Sequence, residues 1–516
     1  MNIHVNRREL LFKAAITVIM IMQSLMIVFY GNQKQGFVMD EYYTWMSANS
    51  YDNPEFVVPM NQWTDMQFLK DYFTVQEGER FSYASVWKNL KADVHPPLYS
   101  WLLHTVCSFF PNQLSKWFGI ILNMLLAMGI TVLVCTAARD LSGRRSAALA
   151  AALIYSCSSW AMSSAMYIRM YQLLVLMIMF SCCWHIRNTG RRQGINYKAL
   201  VVITVVGALT HYYFLVYLFF EAACFCIYHW LKRDYRNLKC YILSMFCSGL
   251  IAVLVFPPMV RDIFFGYRGE EAFSNLVVLQ GYWQALRAAW LLLRNNLLGG
   301  MPFTAVILAA LLISGICICR YRKLPSFISP KFCVVSIPVV CYFLIVAKTA
   351  PYLTDRYYLG IGAAAIVVFV YMLSRVCDVS DSGWLRYITL PCVSVLLVAG
   401  SHHNGTVNYQ SAELQDQRAI LQEVESTQYL YVIDENMWKV MGNIQVLDHF
   451  DRLYCIEESS LPSIINEKQT FDKTLAVGII STDTEKTLDF VKETLGYRSC
   501  EFLCGSGDTK TYYLKK

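Results

Sequence analysis

Long apolar runs recur from the N-terminus to about residue 400 and alternate with short polar segments. A helix needs about 20 apolar residues to cross the roughly 30 Å hydrocarbon core of a membrane. The pattern predicts about eleven membrane-spanning helices, at residues 13–30, 115–138, 147–167, 170–186, 199–212, 213–231, 240–258, 302–319, 332–347, 358–374 and 385–400.

The pattern changes after residue 400, where apolar runs shorten and charges become frequent. Strand-like pieces alternate there with helical ones such as 485–495. The predicted strands are 429–433, 475–481, 497–503 and 511–514. The sequence therefore predicts an α-helical polytopic membrane domain at 1–400, with a first outer loop at 31–95, and a small C-terminal extracytoplasmic α/β domain at 401–516.

Composition agrees with a membrane protein, because 56% of the 516 residues are hydrophobic and only 16% are charged. Lys and Arg concentrate in four loops, at 139–145, 187–198, 232–239 and 320–331. The positive-inside rule places these loops and the N-terminus in the cytoplasm, and hence the first loop and the tail outside. This placement also accounts for the net charge of +7 without nucleic acid, since the cations form no basic domain with interleaved aromatic residues.

One apolar run, Leu98 to Phe110, has only thirteen residues and contains His104. If it crossed the membrane, every later cationic loop would move to the outer side. We therefore predict an in-plane or re-entrant helix, whose first turn suits Pro96 and Pro97 because proline lacks an amide donor.

With this topology, the polar motifs that interrupt apolar sequence all fall on the outer face. They are Asp40-Glu41, His95, Arg169-Met170-Tyr171, His211-Tyr212-Tyr213 and Asp355-Arg356-Tyr357. Each motif also has a simpler interpretation: an acidic pair as a solvated helix end, an arginine reaching the headgroups, tyrosines in an interfacial aromatic belt. Glu221 differs, because it lies near the middle of the sixth run and needs a partner or a water-filled cavity.

Together the outer motifs suit the transfer of a sugar from a polyprenyl phosphate to a hydroxyl group. A neutral hydroxyl needs a base when it attacks, and Asp40 is the candidate. Arg169 and Arg356 would neutralise the departing phosphate, with Arg261 and Arg268 in reserve. Tyrosine rings can stack on a pyranose, and a single displacement inverts the anomeric carbon. Asp40 and Glu41 could alternatively hold a divalent cation, so the metal requirement stays open.

The chain resembles the GT-C superfamily of membrane glycosyltransferases, which includes protein O-mannosyltransferases and lipid A aminoarabinose transferases. Family members have an Asp-Glu pair in the first outer loop and a His-Pro-Pro-Leu element at its end, matched by Asp40-Glu41 and by His95 to Leu98. An Ala-Arg-Met-Tyr-like element, a Thr-His-Tyr element and an Arg-Tyr element late in the chain are matched at 168–171, 210–212 and 356–357. The resemblance covers about residues 1–400.

This resemblance implies that Asp40 is the catalytic base and that Glu41 orients the acceptor or supports the base. It also implies that Arg356 and Tyr357 bind the lipid phosphate. The remaining motif residues are expected to bind substrate: His95, Arg169, Tyr171, His211 and Tyr212.

Three departures from the family narrow the interpretation. The aminoarabinose-type enzymes have a second acid after the third span, which this chain lacks at 169–172. The Trp-Trp-Asp signature of oligosaccharyltransferases is absent, and nothing in the tail resembles the luminal domain of eukaryotic protein mannosyltransferases. A bacterial plasma membrane is therefore expected, with the acceptor open among lipid, glycan and protein.

Two rival hypotheses come from other functional classes. One is a transporter or flippase for a lipid-linked or amphipathic solute, in which charged residues lie near the midplane. Glu221 is the residue that fits that pattern. The other is a non-catalytic envelope scaffold, which would not require recurring Arg, His and Tyr at the ends of spans.

Overall fold

The computed structural model describes residues 2–278, 280–321, 328–352, 354–379, 383–434, 436–465 and 471–516. Arg322 and Lys323, two cations of the fourth predicted cytoplasmic loop, lie outside these ranges. The chain divides into two compact units, each defined by the contacts among its own residues. Unit 1 comprises Met1–Gly31, Val94–Tyr99 and Gly119–Asn408, and unit 2 comprises Asn32–Asp93, Ser100–Phe118 and Tyr409–Lys516.

The apolar runs form helices, as their length and composition predict. In chain order the α-helices are α1 (Asn2–Gln33), α2 (Met39–Asn49), α3 (Gln67–Phe73), α4 (Tyr83–Ala92), α5 (Leu98–Ser108), α6 (Lys116–Ser142), α7 (Arg145–Ser156), α8 (Ser159–Met166), α9 (Tyr171–Asn188), α10 (Tyr197–Ala208), α11 (Tyr213–Leu231), α12 (Tyr235–Val255), α13 (Pro258–Phe264), α14 (Tyr267–Val277), α15 (Tyr282–Asn296), α16 (Met301–Tyr321), α17 (Pro330–Thr349), α18 (Gly362–Val379), α19 (Gly383–Asn404), α20 (Glu413–Leu421), α21 (Ile444–Leu447) and α22 (Thr484–Leu495).

Among the described residues, six helices are long and apolar enough to cross a membrane. They are Arg7–Gln33, Lys116–Ser142, Tyr213–Leu231, Tyr235–Val255, Pro330–Thr349 and Leu359–Cys377. A seventh span results if Pro258–Val277 and Tyr282–Asn296, which meet at 113°, count as one. The chain is thus a mostly helical, multi-pass membrane protein, while the count of about eleven spans stays a prediction.

Two helices near the Arg169 and His95 motifs are shorter than a membrane span. The run at 147–167 forms two helices instead of one, because the chain breaks at Cys157 and Ser158 Oγ caps α8 by accepting from the Ala161 amide at 3.2 Å. Helix α5 has 11 residues. At about 1.5 Å per residue it is too short to cross a bilayer. A short helix at this position is confirmed, and its in-plane orientation stays a prediction.

Unit 2 contains a six-stranded sheet in the order β1-β3-β2-β4-β6-β5. Its strands are β1 (Trp63–Asp65), β2 (Gln428–Ile433), β3 (Arg452–Glu457), β4 (Thr474–Ile479), β5 (Ser499–Ser506) and β6 (Thr509–Lys515). Strand β2 pairs in parallel with both β3 and β4, and every residue of β2 is buried. The small C-terminal sheet is confirmed, including all four predicted strands, but β3 and β1 were not predicted.

Candidate active site

The acidic pair lies in the first turn of α2, in unit 2. Acids in a first helical turn interact favourably with the amide groups and dipole of the helix N-terminus. Asp40 is half-buried, whereas Glu41 is fully buried. Adjacent helical residues point about 100° apart, so the two carboxylates cannot face the same environment.

Glu41 is held by Lys34, which lies just before α2. Lys34 Nζ donates to both carboxylate oxygens at 3.0 and 2.9 Å, and both side chains have no exposed surface. Lys34 also donates to the carbonyl oxygen of Tyr409 at 2.6 Å, and Glu41 accepts the Val38 amide at 2.8 Å. This network joins the end of α1, the start of α2 and the segment that leads into the tail.

The ion pair between Lys34 and Glu41 also determines whether Asp40 and Glu41 could bind a divalent cation together. A metal bridging Asp40 and Glu41 would need the oxygens that already receive the Lys34 ammonium group. The donor set therefore does not fit such an ion. Within the described ranges, no three His, Cys, Asp or Glu side chains come together as a metal site.

In unit 1, the turn between α8 and α9 carries Arg169. Asn123 fixes this turn, since its Nδ2 donates to the carbonyl oxygens of Ala165 at 3.1 Å and Tyr167 at 2.8 Å. Tyr99 donates in turn to Asn123 Oδ1 at 3.0 Å. Buried amide groups of this kind hold irregular backbone in one conformation.

Arg169 and His95 lie together, with Arg169 Nη2 3.3 Å from His95 Nε2. A backbone hydrogen bond links the start of α5, which follows His95, to the end of α10, which precedes His211: the Leu98 amide donates to the Leu209 carbonyl oxygen at 3.1 Å.

His211, in the turn between α10 and α11, accepts the Tyr213 amide at Nδ1 at 3.0 Å. Its proton therefore resides on Nε2, which leaves a neutral imidazole with one donor.

Electrostatics favour that neutral form. Burial, reinforced by the nearby His95 and Arg169, lowers the pKa of His211 to about 3. The main cause is the cost of desolvating an imidazolium, and the Arg169 guanidinium group adds repulsion. His211 is thus a neutral hydrogen-bond donor over the physiological pH range.

Aromatic rings lie between His211 and Arg356, the arginine of the last motif. Tyr171 stacks on Tyr167 with ring centroids 5.4 Å apart, and its ring lies 5.3 Å from that of His211. Arg356 Nη1 donates to the Tyr167 hydroxyl at 3.4 Å, and Arg356 Nη2 donates to the Tyr357 hydroxyl at 3.1 Å. The cluster therefore gathers six of the residues that the sequence singled out: His95, Arg169, Tyr171, His211, Arg356 and Tyr357.

The hydroxyl of Tyr212 binds an acid on α13. Its hydroxyl donates to Asp262 Oδ2 at 2.9 Å, and Asp262 Oδ1 accepts from Arg261 Nη2 at 2.6 Å. Arg268 pairs with Glu271 at 2.8 Å. The two reserve arginines are thus engaged by acids on their own helices.

Glu221 has a structural environment inside unit 1. Its Oε2 accepts from Ser181 Oγ and lies 3.1 Å from His185 Nδ1. His185 Nε2 lies 2.9 Å from the Tyr241 hydroxyl. These contacts connect α9, α11 and α12, so the intramembrane acid belongs to a polar network that spans three helices.

The sequence did not single out four residues that shape the site: Lys34, Asn123, Tyr99 and Tyr167. Lys34 had a detectable signal, because it is a cation directly after the first span, where the predicted topology leads one to expect few cations. Asn123 lies within a long apolar run, where a polar amide also stands out. Tyr167 gave no signal, since it resembles any aromatic residue at the end of a span.

Comparison with known proteins adds evidence on the family and the fold. Residues 94–260 match the family model described as dolichyl-phosphate-mannose-protein mannosyltransferase. The structure is similar to that of ArnT from Cupriavidus metallidurans bound to undecaprenyl phosphate, with 13% identity, coverage of 98% of this chain and 97% of that chain, and a TM-score of 0.54. The apo structure of that protein aligns with 12% identity over 91% and 95% of the two chains and a TM-score of 0.48.

Comparison with curated protein sequences gave no match. At 13% identity, the likeness to ArnT establishes the fold, and the family model covers the stretch from Val94 to the first turn of α13. The resemblance to the GT-C superfamily of membrane glycosyltransferases is therefore confirmed.

Proposed function

We propose that the protein is an inverting glycosyltransferase. It moves a sugar from a polyprenyl-phosphate carrier to an acceptor hydroxyl at the outer face of a bacterial plasma membrane. In this proposal about eleven spans cross the membrane, the N-terminus is cytoplasmic and the tail is extracytoplasmic. The acceptor is a lipid, a glycan or a protein.

The observation that carries the proposal is the cluster in unit 1 that contains two guanidinium groups. Arg169 is buried beside a neutral His211, and Arg356 is held by tyrosine hydroxyls. Guanidinium groups bind phosphate oxygens in a bidentate manner, and a low-dielectric surrounding strengthens that attraction. This arrangement suits the anionic phosphate of a lipid carrier better than it suits a neutral solute.

The comparisons support the choice of carrier. The matching family is described as using dolichyl-phosphate-mannose, and the similar ArnT structure contains undecaprenyl phosphate. Both are polyprenyl phosphates or their sugar esters. A lipid of this class is the donor that we assign to this chain.

The reaction needs a base and a stabilised leaving group. Asp40 takes the proton of the acceptor hydroxyl as its oxygen forms a bond to the anomeric carbon. The bond from that carbon to the phosphate oxygen breaks at the same time, and the electron pair leaves with the polyprenyl phosphate. Arg169 and Arg356 neutralise the charge that develops on the phosphate, while His95, His211 and the tyrosines bind the sugar and phosphate.

Glu41 has a positioning role in this mechanism. Its carboxylate is used by Lys34 and by the Val38 amide, so it fixes the first turn of α2. Asp40 is then presented from a helix end whose conformation is set by buried contacts. This assigns Glu41 to support of the base.

The test is the substitution Asp40→Asn in the purified full-length protein, assayed with undecaprenyl-phosphate-linked hexoses and pentoses. We expect donor binding to remain near wild type and turnover to fall by at least about 100-fold, since a positioned base contributes roughly that much. Asp71→Asn, which removes an exposed acid from the same loop, is the control and should leave turnover unchanged. Wild-type turnover in Asp40→Asn would disprove the proposed mechanism.

A further inference from the structure

The tail packs along the start of α2, within unit 2. Gln445 Nε2 donates to the Phe37 carbonyl oxygen at 2.7 Å. Gly442 lies against Met39, where a Cβ atom at 442 would be 3.9 Å from the Met39 sulfur. Phe37 and Met39 lie three residues and one residue before Asp40, so the segment that follows β2 packs close to the proposed base.

Trp438 lies on this same segment. Next to it, Met437 Sδ accepts the Val58 amide at 3.0 Å, which ties the segment to the chain beyond α2. Trp438 nevertheless leaves 44% of its surface exposed, and its Nε1 donates to Asn436 Oδ1 at 3.3 Å. Its ring is thus anchored at the polar edge while part of its apolar surface remains in contact with solvent.

A polar network adjoins this ring through Asn436. Asp434 forms an ion pair with Lys439 and accepts from Asn436 Nδ2 at 3.2 Å. Carboxylate, ammonium and amide groups are the hydrogen-bonding partners that sugar hydroxyls require, and an aromatic face packs on the C–H face of a pyranose. A lipid tail or an apolar peptide would leave these polar groups without matching partners.

The position of this segment in the sheet also favours ligand binding. Strand β2 lies between the parallel strands β3 and β4; its own connection leads to β3, whereas the connection from β4 leads toward β5, in the opposite direction along the sheet. In open α/β sheets, ligands bind outside the carboxyl ends of the strands at such a point. Asp434 directly follows the carboxyl end of β2, and Asn436, Trp438 and Lys439 come shortly after it in the chain.

We propose that Asp434 and residues 436–445 form an acceptor subsite for a carbohydrate, with Trp438 as the stacking surface. The acceptor is then a glycan, whose hydroxyl is presented to Asp40. This inference rests on the proposed glycosyl transfer and names its acceptor class.

The test measures saccharide binding separately from turnover. Full-length protein in nanodiscs is titrated with mannotriose, maltotriose and chitotriose, and binding is followed by saturation-transfer NMR. We expect wild type to bind at least one of them, Trp438→Ala to weaken binding at least tenfold, and Trp438→Phe to retain most of it. Phe502→Ala is the matched control, because Phe502 is a 57% exposed aromatic residue on β5, in the same unit as Trp438.

The outcomes separate the two proposals. If wild type binds none of the trisaccharides, or if Trp438→Ala binds like Phe502→Ala, the acceptor subsite is wrong, even where Asp40-dependent donor turnover upholds the transferase. Transfer to a serine peptide or a lipid that is unaffected by Trp438→Ala likewise overturns it. Trp438-dependent saccharide binding without Asp40-dependent turnover would support the subsite and disprove the proposed function.

Discussion

Lys34 and Glu41 form a buried ion pair next to the proposed base. Both side chains have no exposed surface, and the ammonium group donates to both carboxylate oxygens. Removing one member of such a pair leaves the other buried and uncompensated, at a cost of about 3 to 5 kcal/mol, whereas neutralising both members costs far less. Variants of this pair can therefore separate the contribution of Glu41 to stability from any contribution that it makes to turnover.

We expect Lys34→Met to lower the thermal unfolding midpoint strongly, and the double variant Lys34→Met/Glu41→Gln to recover most of it. The amide oxygen introduced by Glu41→Gln can still accept from the Val38 amide, which now donates to the Glu41 carboxylate. Lys88→Met is the control, since Lys88 and its partner Asp52 are exposed and such pairs contribute at most about 1 kcal/mol.

Turnover of the double variant then decides the role of Glu41. A folded double variant that keeps most of the wild-type turnover is the expected result, because Asp40 would still be presented by α2. If the double variant is as stable as wild type but inactive, Glu41 acts on the acceptor and the positioning role is wrong.

His211 gives a pH dependence that can be measured. Burial lowers its pKa to about 3, below the ordinary value near 6.5, so the unfolded chain binds more protons between these values. The stability that neutral His211 confers is present above pH 6.5 and is lost as pH falls, at about 1.4 kcal/mol per pH unit. Relative to His211→Asn, wild type should lose about 2 kcal/mol between pH 6.5 and pH 5, as unfolding at both pH values would show. A difference that is independent of pH would contradict the buried, neutral imidazole.

At the scale of elements, Glu221 joins three helices. Its contacts with Ser181 and His185, and the contact of His185 with Tyr241, hold α9, α11 and α12 together. Glu221→Gln keeps an acceptor for Ser181 and should cost about 1 to 3 kcal/mol of stability while sugar transfer continues. Transfer assays and thermal unfolding on the same sample check this. Loss of solute movement across vesicles, with the fold intact, would instead support the transporter hypothesis.

Elements with local signals were predictable from the sequence, and those defined by distant pairing were not. Helix α6 and strand β2 follow from continuous apolar stretches whose lengths match a span and a buried strand. Strand β1 has three residues and exists because it pairs with β3, which lies far along the chain in the tail. Isolated sequence windows contain no signal for such a partner.

The candidate site shows the same division. The motif residues Arg169 and Arg356 stood out because charges are rare among apolar runs. Their connection through Tyr167, and the different direction taken by Tyr212, depend on the packing of helices that are far apart in sequence. Residue type therefore identified the candidates, and only the fold showed which of them lie together.

At the scale of the whole molecule, membrane orientation decides whether the proposed chemistry is possible. Lipid-linked donors act where nucleotide sugars are absent, and the four cationic loops predict that the tail is outside. Cys500 on β5 is exposed and reports on the tail, while Arg192 is exposed in a loop predicted to be cytoplasmic. Partial burial raises the pKa of the Cys500 thiol, so labelling should be carried out near the ordinary thiol pKa of about 8.5.

We expect a membrane-impermeant maleimide to label Cys500 on intact spheroplasts. Cys500→Ser should reduce labelling to background, because the other cysteines face the protein interior or lie in the apolar runs. In Cys500→Ser/Arg192→Cys, labelling should appear only after the membrane is opened. Residue 192 lies in a cationic loop, and the positive-inside rule predicts that such loops stay in the cytoplasm. Labelling of Cys500 only in opened membranes would place the tail, and with it the helix α2 that shares its unit, in the cytoplasm, where an outward-facing transfer by Asp40 is impossible.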